Sequence, residues 1–312
     1  MPWKQNYTIS DERGLRDGSI VWPHDKKICV SIVVDLSVAS GPEGITAADL
    51  KSPAAAFGAH DGLDGLLGVL KRHGMRATFA VPAVMAAIRP ARIKAIMAEG
   101  HEIAANGFRH EDVSGLSRDE EKSRMDRATA ILTDVTGKRP AGWYCLPRQT
   151  DKFAGGTISP NTMDLLIDAG YAYMGNGLAD DIPHWWVTDF ATKRAILAMP
   201  YYYHFDDSFF CMFPKKGTGL EHPDFFFRNC HAEFTAQYRR GRHFHMVLHP
   251  QHMGWCHRLE MLDEFFEGLR SFPAVWNPTA GECAAHWTAT FPKETHLHLE
   301  PSVWQDHPGS LS

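Results

Sequence analysis

The chain has no run of roughly 18 apolar residues, the length a membrane-crossing helix needs, so no membrane partner is expected. It has no block of five basic residues, and its net charge is -5. Phosphate backbones bind clustered Lys and Arg, so nucleic acid is not an expected partner either. No G-x-G-x-x-G follows the first apolar run and no P-loop occurs, which removes the common dinucleotide and nucleotide cradles. The six cysteines (Cys29, Cys145, Cys211, Cys230, Cys256, Cys283) include no C-x-x-C pair. Scattered this way, they read as reduced thiols, and a cysteine zinc site is not expected. The opening MPWKQNYTISDERGLRDGS lacks the apolar core of a signal peptide, which makes the cytoplasm the expected location.

What remains is an ordinary globular chain of 312 residues, 44% hydrophobic and 22% charged. That length suits one large α/β domain. Histidine (18) and tryptophan (9) are plentiful, and many fall late in the chain, including Trp185, Trp186, His204, His243, His245, His249 and His252.

The segment KICVSIVVDL (27–36) is a continuous β-branched run, the pattern of a strand buried on both faces. Residues 61–73 carry Leu63, Leu66, Leu67 and Leu70 at helical spacing before Gly74. Further strands are predicted at 77–81, 101–105, 139–146, 171–174, 195–199, 245–249 and 275–277. Further helices are predicted at 88–98, 117–136, 159–169, 259–271 and 279–289. Ser117 and Glu120 form a capping box at the second of these. Strands alternating with helices imply a parallel sheet, and about seven such units suit a distorted (β/α) barrel better than an open doubly wound sheet. Residues 1–21 read as an irregular arm, 22–292 as the barrel domain and 293–312 as a tail.

In parallel α/β folds, chemistry gathers where strands end. Asp35 closes the first strand, Asn106 and His110 follow the third, and His249 closes HMVLH. Each also has a plainer reading: a turn cap for Asp35, turn chemistry for Asn106-Gly107, an exposed loop for His110, and a satisfied core ring for His249. Their convergence in one architecture favours metal binding or general acid/base work.

The order of motifs resembles the polysaccharide deacetylase (NodB-homology) superfamily. The motifs are Asp35 after a strand, HEIAANGFRHED, GKRPAGWY, SPNTMDLLIDAGY and LHPQHMGWCHRL. The segments VWPHDKKICVSIVVDL, DDIPHWW, MPYYYHFDD and AAHWTATFP are similar to the cytoplasmic peptidoglycan-deacetylase-like and metal-independent allantoinase-like branch, over roughly residues 22–292. The resemblance implies a distorted barrel of about seven strands. It puts Asp35 and His110 at metal-ligand positions, Val33 where the family has a base, Arg148 at the motif arginine and His249 at the late catalytic histidine. Asn106 stands where the family has its first ligating histidine.

One carboxylate, one imidazole and one neutral amide make a poor zinc site, so no cofactor is expected, and a divalent zinc-type ion is weakened by Asn106. The implied activity is hydrolysis of a carbon–nitrogen bond in a small soluble amide, cyclic imide or ureide. Asp35, His110, Arg148 and His249 are the candidate catalytic residues. Asn106, Tyr144, Trp185, His204 and Trp255 are the candidate substrate contacts. The alternatives are a lyase on a small aromatic substrate and a non-catalytic ligand-binding relative. Family habit and the long arms suggest a homo-oligomer. Charged loop residues such as Asp180 and Asp207 are expected at the surface.

Overall fold

The computed structural model describes residues 15–148, 156–178, 180–189, 192–211 and 223–297. Most of the loop expected at 149–157, most of the N-terminal arm and most of the tail lie outside these residues.

Nine strands form one sheet: β1 Ile28–Asp35, β2 Thr78–Val81, β3 Glu102–Ala105, β4 Gly142–Tyr144, β5 Tyr173–Gly177, β6 His184–Asp189, β7 Arg194–Pro200, β8 His243–Leu248 and β9 Val275–Trp276. The order along the sheet is β6-β7-β5-β4-β3-β2-β1-β8, with β9 beside the start of β1. All neighbours are parallel except β6 on β7. The seven strands from β7 round to β8 form the predicted barrel wall. Among the described residues, no ladder joins β7 to β8. A single parallel bridge, Asp206 to Val247, spans that gap, so the barrel is open there except at one point.

The β1–β8 pair sets out the interior. Side chains alternate across a strand. Ile28, Val30, Ile32 and Val34 therefore face the outer helices, with Phe244, Met246 and Leu248 of β8. Cys29 and Val33 face the interior with Val247. The register pairs Cys29 with His243, Ser31 with His245 and Val33 with Val247. One step further up, Asp35 lies beside His249. Polar pairs, interrupted by Val33–Val247, thus climb the inside of an otherwise apolar barrel, and the same alternation that builds the core aims Asp35 and His249 at its open end. Helix Ala280–Thr290 packs its Cys283, Ala284 and Trp287 into the lower interior.

The helix predicted at 117–136 is Arg118–Thr136, with Ser117 and Glu120 forming the capping box and Gly137 left-handed at φ 77°. Strand β6 and helix Pro223–Arg240 are among the elements that escaped the sequence pattern. Strand β6 is antiparallel and sits at the sheet edge. Helix Pro223–Arg240 buries Phe226, Phe227, Cys230, Phe234 and Gln237, a helical spacing masked by its mixed aromatic and charged composition. Among the described residues, no helix is long and apolar enough to cross a membrane.

Candidate active site

Asp35 and His249 meet where β1 and β8 end. His249 Nε2 lies 3.4 Å from Asp35 Oδ2. On its other side, His249 Nδ1 donates to Asp207 Oδ1 at 2.7 Å, and the His249 amide donates to Asp207 Oδ2 at 2.9 Å. A histidine is thus clamped between two carboxylates, and all three are buried. The surface position expected for Asp207 is wrong: its carboxylate is wholly enclosed. The short helix Asp207–Cys211 begins right after the Asp206–Val247 bridge, and that bridge carries Asp207 over the top of β8.

Asp206 is also buried, accepting from Tyr201 Oη at 2.7 Å and from the Ser208 amide at 2.9 Å. Asp180 is not plain surface either. It forms a part-buried ion pair with Arg242, 2.6 Å away, in a cluster with Asp17 and Asp181 remote from His249.

The electrostatics follow from burial set against charge pairing. Burial pulls the His249 imidazole down, but Asp207, Asp206 and Asp35 together hold it well above the usual histidine value. Burial pushes Asp35 and Asp207 up, and His249 overrides it, so both stay below the ordinary carboxylate range. Asp206 lies farther from His249, 3.7 Å from Nδ1, and there burial wins and raises it. At neutral pH the clamp is an imidazolium between two carboxylates.

Asp35 Oδ1 is occupied, accepting from the Ser37 amide at 2.7 Å and from Asn106 Nδ2 at 3.0 Å. Its Oδ2 is buried without a hydrogen-bond partner among the described residues, and so is Asn106 Oδ1. Asn106 opens the turn after β3, where Gly107 takes φ +78° and His110 takes φ +59°, a conformation costly for a non-glycine residue. Several contacts hold the turn. His110 Nε2 donates to the Leu146 carbonyl at 2.7 Å, and Arg148 Nη1 donates to the His110 carbonyl at 3.1 Å. The Arg148 guanidinium is fully enclosed and also reaches Asp112, 3.4 Å away. Arg148 therefore lies beside the site but anchors the loop that presents Asn106 and His110.

A zinc-type ion needs three or more protein donors. Asn106 turns its amide N–H toward Asp35 and His110 commits Nε2 to a carbonyl, while Asp35 Oδ2 and Asn106 Oδ1 keep no hydrogen-bond partner among the described residues. Among the described residues, no cluster of three His, Cys, Asp or Glu ligands contains Asp35 or His110. Asp207, His249 and His252 do cluster, but an ion there would displace the proton shared by His249 and Asp207.

The remaining candidates divide. Tyr144 is buried and borders a small cavity of about 30 Å³ together with Asn106, His110 and Trp143. Trp255 is 50% exposed and stacks on Phe57 at 4.4 Å, just after the His249 turn. That turn sits hard against the segment Gly58–Gly62. A Cβ on Gly62 would come within 2.4 Å of the Pro250 carbonyl, and one on Gly254 within 2.2 Å of Gly62 Cα. Only glycines allow this approach. Trp185 is buried, donates to the Phe291 carbonyl at 3.1 Å and packs in the interior cluster, so core packing accounts for it. His204 is exposed on the one-turn helix Tyr203–Phe205 and lines a different cleft with Asp181, Asn229 and Glu233.

Comparison with known proteins agrees with this architecture. A family model described as "Polysaccharide deacetylase" matches residues 57–174. The peptidoglycan deacetylase of Helicobacter pylori is 26% identical over 166 residues, 52% of this chain and 54% of that protein. The chain spans about half the length of that relative and about a third of another, a peptidoglycan deacetylase-like protein. A putative polysaccharide deacetylase from Mycobacterium smegmatis superposes with a TM-score of 0.77 at 25% identity, over 95% of this chain and 98% of that one. Puue allantoinase superposes with a TM-score of 0.74 at 26% identity, over 90% and 95%. Open seven-stranded wall, inward-facing strand ends and matched family model agree: over residues 57–174 the chain is similar to the polysaccharide deacetylase family, and its fold is that of the structures that superpose on it.

Proposed function

We propose that this chain hydrolyses a carbon–nitrogen bond in a small amide, cyclic imide or ureide without an active-site metal. The observation that carries this reading is the His249 imidazolium clamped between Asp35 and Asp207. Asp207 holds Nδ1–H and keeps the ring charged. Nε2–H points toward Asp35 Oδ2 across 3.4 Å, longer than a good hydrogen bond, so neither group is firmly committed to the other.

Asp35 Oδ2, buried and without a hydrogen-bond partner, takes a proton from the attacking water. The water oxygen bonds to the carbonyl carbon, and the carbon–nitrogen bond breaks. The leaving nitrogen takes the Nε2 proton of His249, and the proton on Asp35 then restores the ring. One water is consumed; the products are a carboxylic acid, which releases its proton to the amine or to solvent, and the amine. Asn106 fixes the reactive face of Asp35 by occupying Oδ1. Tyr144, at the cavity behind Asn106, and Trp255, exposed beside the His249 turn, are the contacts proposed for the substrate body.

The allantoinase likeness supports a small ureide over a polymer. All six cysteines are free, which supports a reducing cytoplasmic setting, where we place the protein as a homo-oligomer. The test is turnover of a panel of allantoin, hydantoins, cyclic imides and N-acetyl compounds, with chelator present, in ¹⁸O-labelled water. Label in the product carboxylate is expected. Turnover without label would indicate a lyase, and silence across the panel would sink the hydrolase reading.

A further inference from the structure

We infer that Cys29, Cys283 and His243 form a second, buried site at the base of the barrel that takes a thiophilic divalent cation of the zinc type. It stands apart from the Asp35–His249 centre, because six residues of β1 separate Cys29 from Asp35, about 20 Å along the strand.

The geometry is that of a ligand set. One donor atom from each of the three residues lies within 4.8 Å of the other two, and all three residues are buried. Cys29 Sγ and Cys283 Sγ are 3.7 Å apart. Tetrahedral coordination with zinc–sulfur bonds of about 2.3 Å places two sulfurs about 3.8 Å apart, so the thiols already hold that spacing. His243 is prepared in the way metal-ligating imidazoles are. Its Nε2 is paired with Ser31 Oγ at 2.8 Å, which orients the ring, while its Nδ1 is buried with no hydrogen-bond partner among the described residues.

The charges balance as well. Burial pushes the Cys29 thiol far up and drives His243 down to about 3. Binding replaces two S–H protons, released to solvent, with two sulfur–metal bonds. Two thiolates, one neutral imidazole and a 2+ ion sum to zero, the charge an apolar interior tolerates. A monovalent copper ion in the same ligands would leave one negative charge buried. Trp22 packs over the site, its ring 6.4 Å from His243 and 5.6 Å from Trp287. An ion here ties together β1, β8 and helix Ala280–Thr290, whose cysteines are 254 residues apart in sequence.

The full chain grown with zinc and measured by elemental analysis should carry about one ion per molecule. Cobalt substitution should add near-ultraviolet thiolate-to-metal absorption. Cys29→Ser with Cys283→Ser, and separately His243→Gln, should lose both the ion and the absorption, while His249→Ala and Asp35→Asn keep them. If the double serine variant does not fold, His243→Gln and the cobalt spectrum of the unaltered chain decide. Absence of a stoichiometric ion after growth in zinc and refolding with cobalt would overturn the site. So would an ion that leaves with His249→Ala and Asp35→Asn but stays in the cysteine variants.

Discussion

Two histidines on the same strand, His249 above the end of β8 and His243 at its start, are both buried and face the same interior, yet the protein holds them in opposite states. His243 is driven down to about 3 by burial, with no carboxylate in hydrogen-bond contact. His249 suffers the same burial and is nonetheless raised, because three aspartates surround it. The difference lies in the partners and owes nothing to depth. One end of the strand stores a proton between carboxylates, and the other offers a neutral ring beside two thiols. A single alternating strand therefore supports two unlike chemistries.

The largest test of this contrast is His249→Ala. Removing the clamped imidazolium should cut kcat on any substrate found in the panel by about 1000-fold. A loss smaller than about tenfold would take His249 out of the reaction. Asp207→Asn keeps the shape but removes the charge that holds Nδ1–H. The His249 pKa, followed by imidazole NMR, should drop toward the ordinary value, and turnover should fall about 100-fold. An unmoved imidazole signal would show that Asp35 and Asp206 suffice.

Stability against pH sharpens the same comparison. The raised pKa of His249 contributes stability that is complete below about 6.5 and is lost as pH climbs through the raised value. The depressed pKa of His243 acts the other way. Between about 6.5 and about 3 the unfolded ring binds a proton that the folded ring refuses, so stability falls as pH falls. Metal-free protein should therefore be most stable near pH 6.5 as far as these two groups decide. His243→Gln should flatten the acid limb between about pH 4 and 6 while leaving the alkaline limb in place. Urea titrations across that range check it, and an unchanged acid limb would count against the assignment.

Gly62→Ala inserts a methyl against the Pro250 carbonyl and must push the His249 turn outward. A destabilisation of about 1–3 kcal/mol is expected by urea melt, with turnover reduced alongside. The smallest effect belongs to Trp255→Ala. Its ring is half exposed and stacked only on Phe57, so folding should be unchanged and KM should rise by about tenfold or less. A constant KM would return Trp255 to ordinary surface.

Much of this was legible along the chain. The β-branched run at 27–36 and the alternation in HFHMVLH specify two buried strands whose inward residues end in Asp35 and His249. The capping box at Ser117 and the left-handed Gly137 are local chemistry and appear where the pattern puts them. Asn106, too, was readable along the chain as a departure from the ligand pattern that the resemblance implies. Less legible were helix Pro223–Arg240, whose apolar stripe is broken by charges, and Trp185, whose indole partner lies 106 residues away.

Sequence alone determined the periodicities, and through them which residues point inward and which strand ends carry acid and base. Only the tertiary structure decided what those residues meet. Asp206-Asp207 reads as a charged loop until the bridge to Val247 closes the gap between β7 and β8 and lowers Asp207 onto His249. The scattered cysteines read as unrelated thiols until helix Ala280–Thr290 folds back into the barrel and brings Cys283 to Cys29. The physical reason is the same in both cases. Local pattern sets orientation over a few residues, whereas burial and charge pairing depend on contacts between distant segments that exist only once the barrel has wrapped around its core.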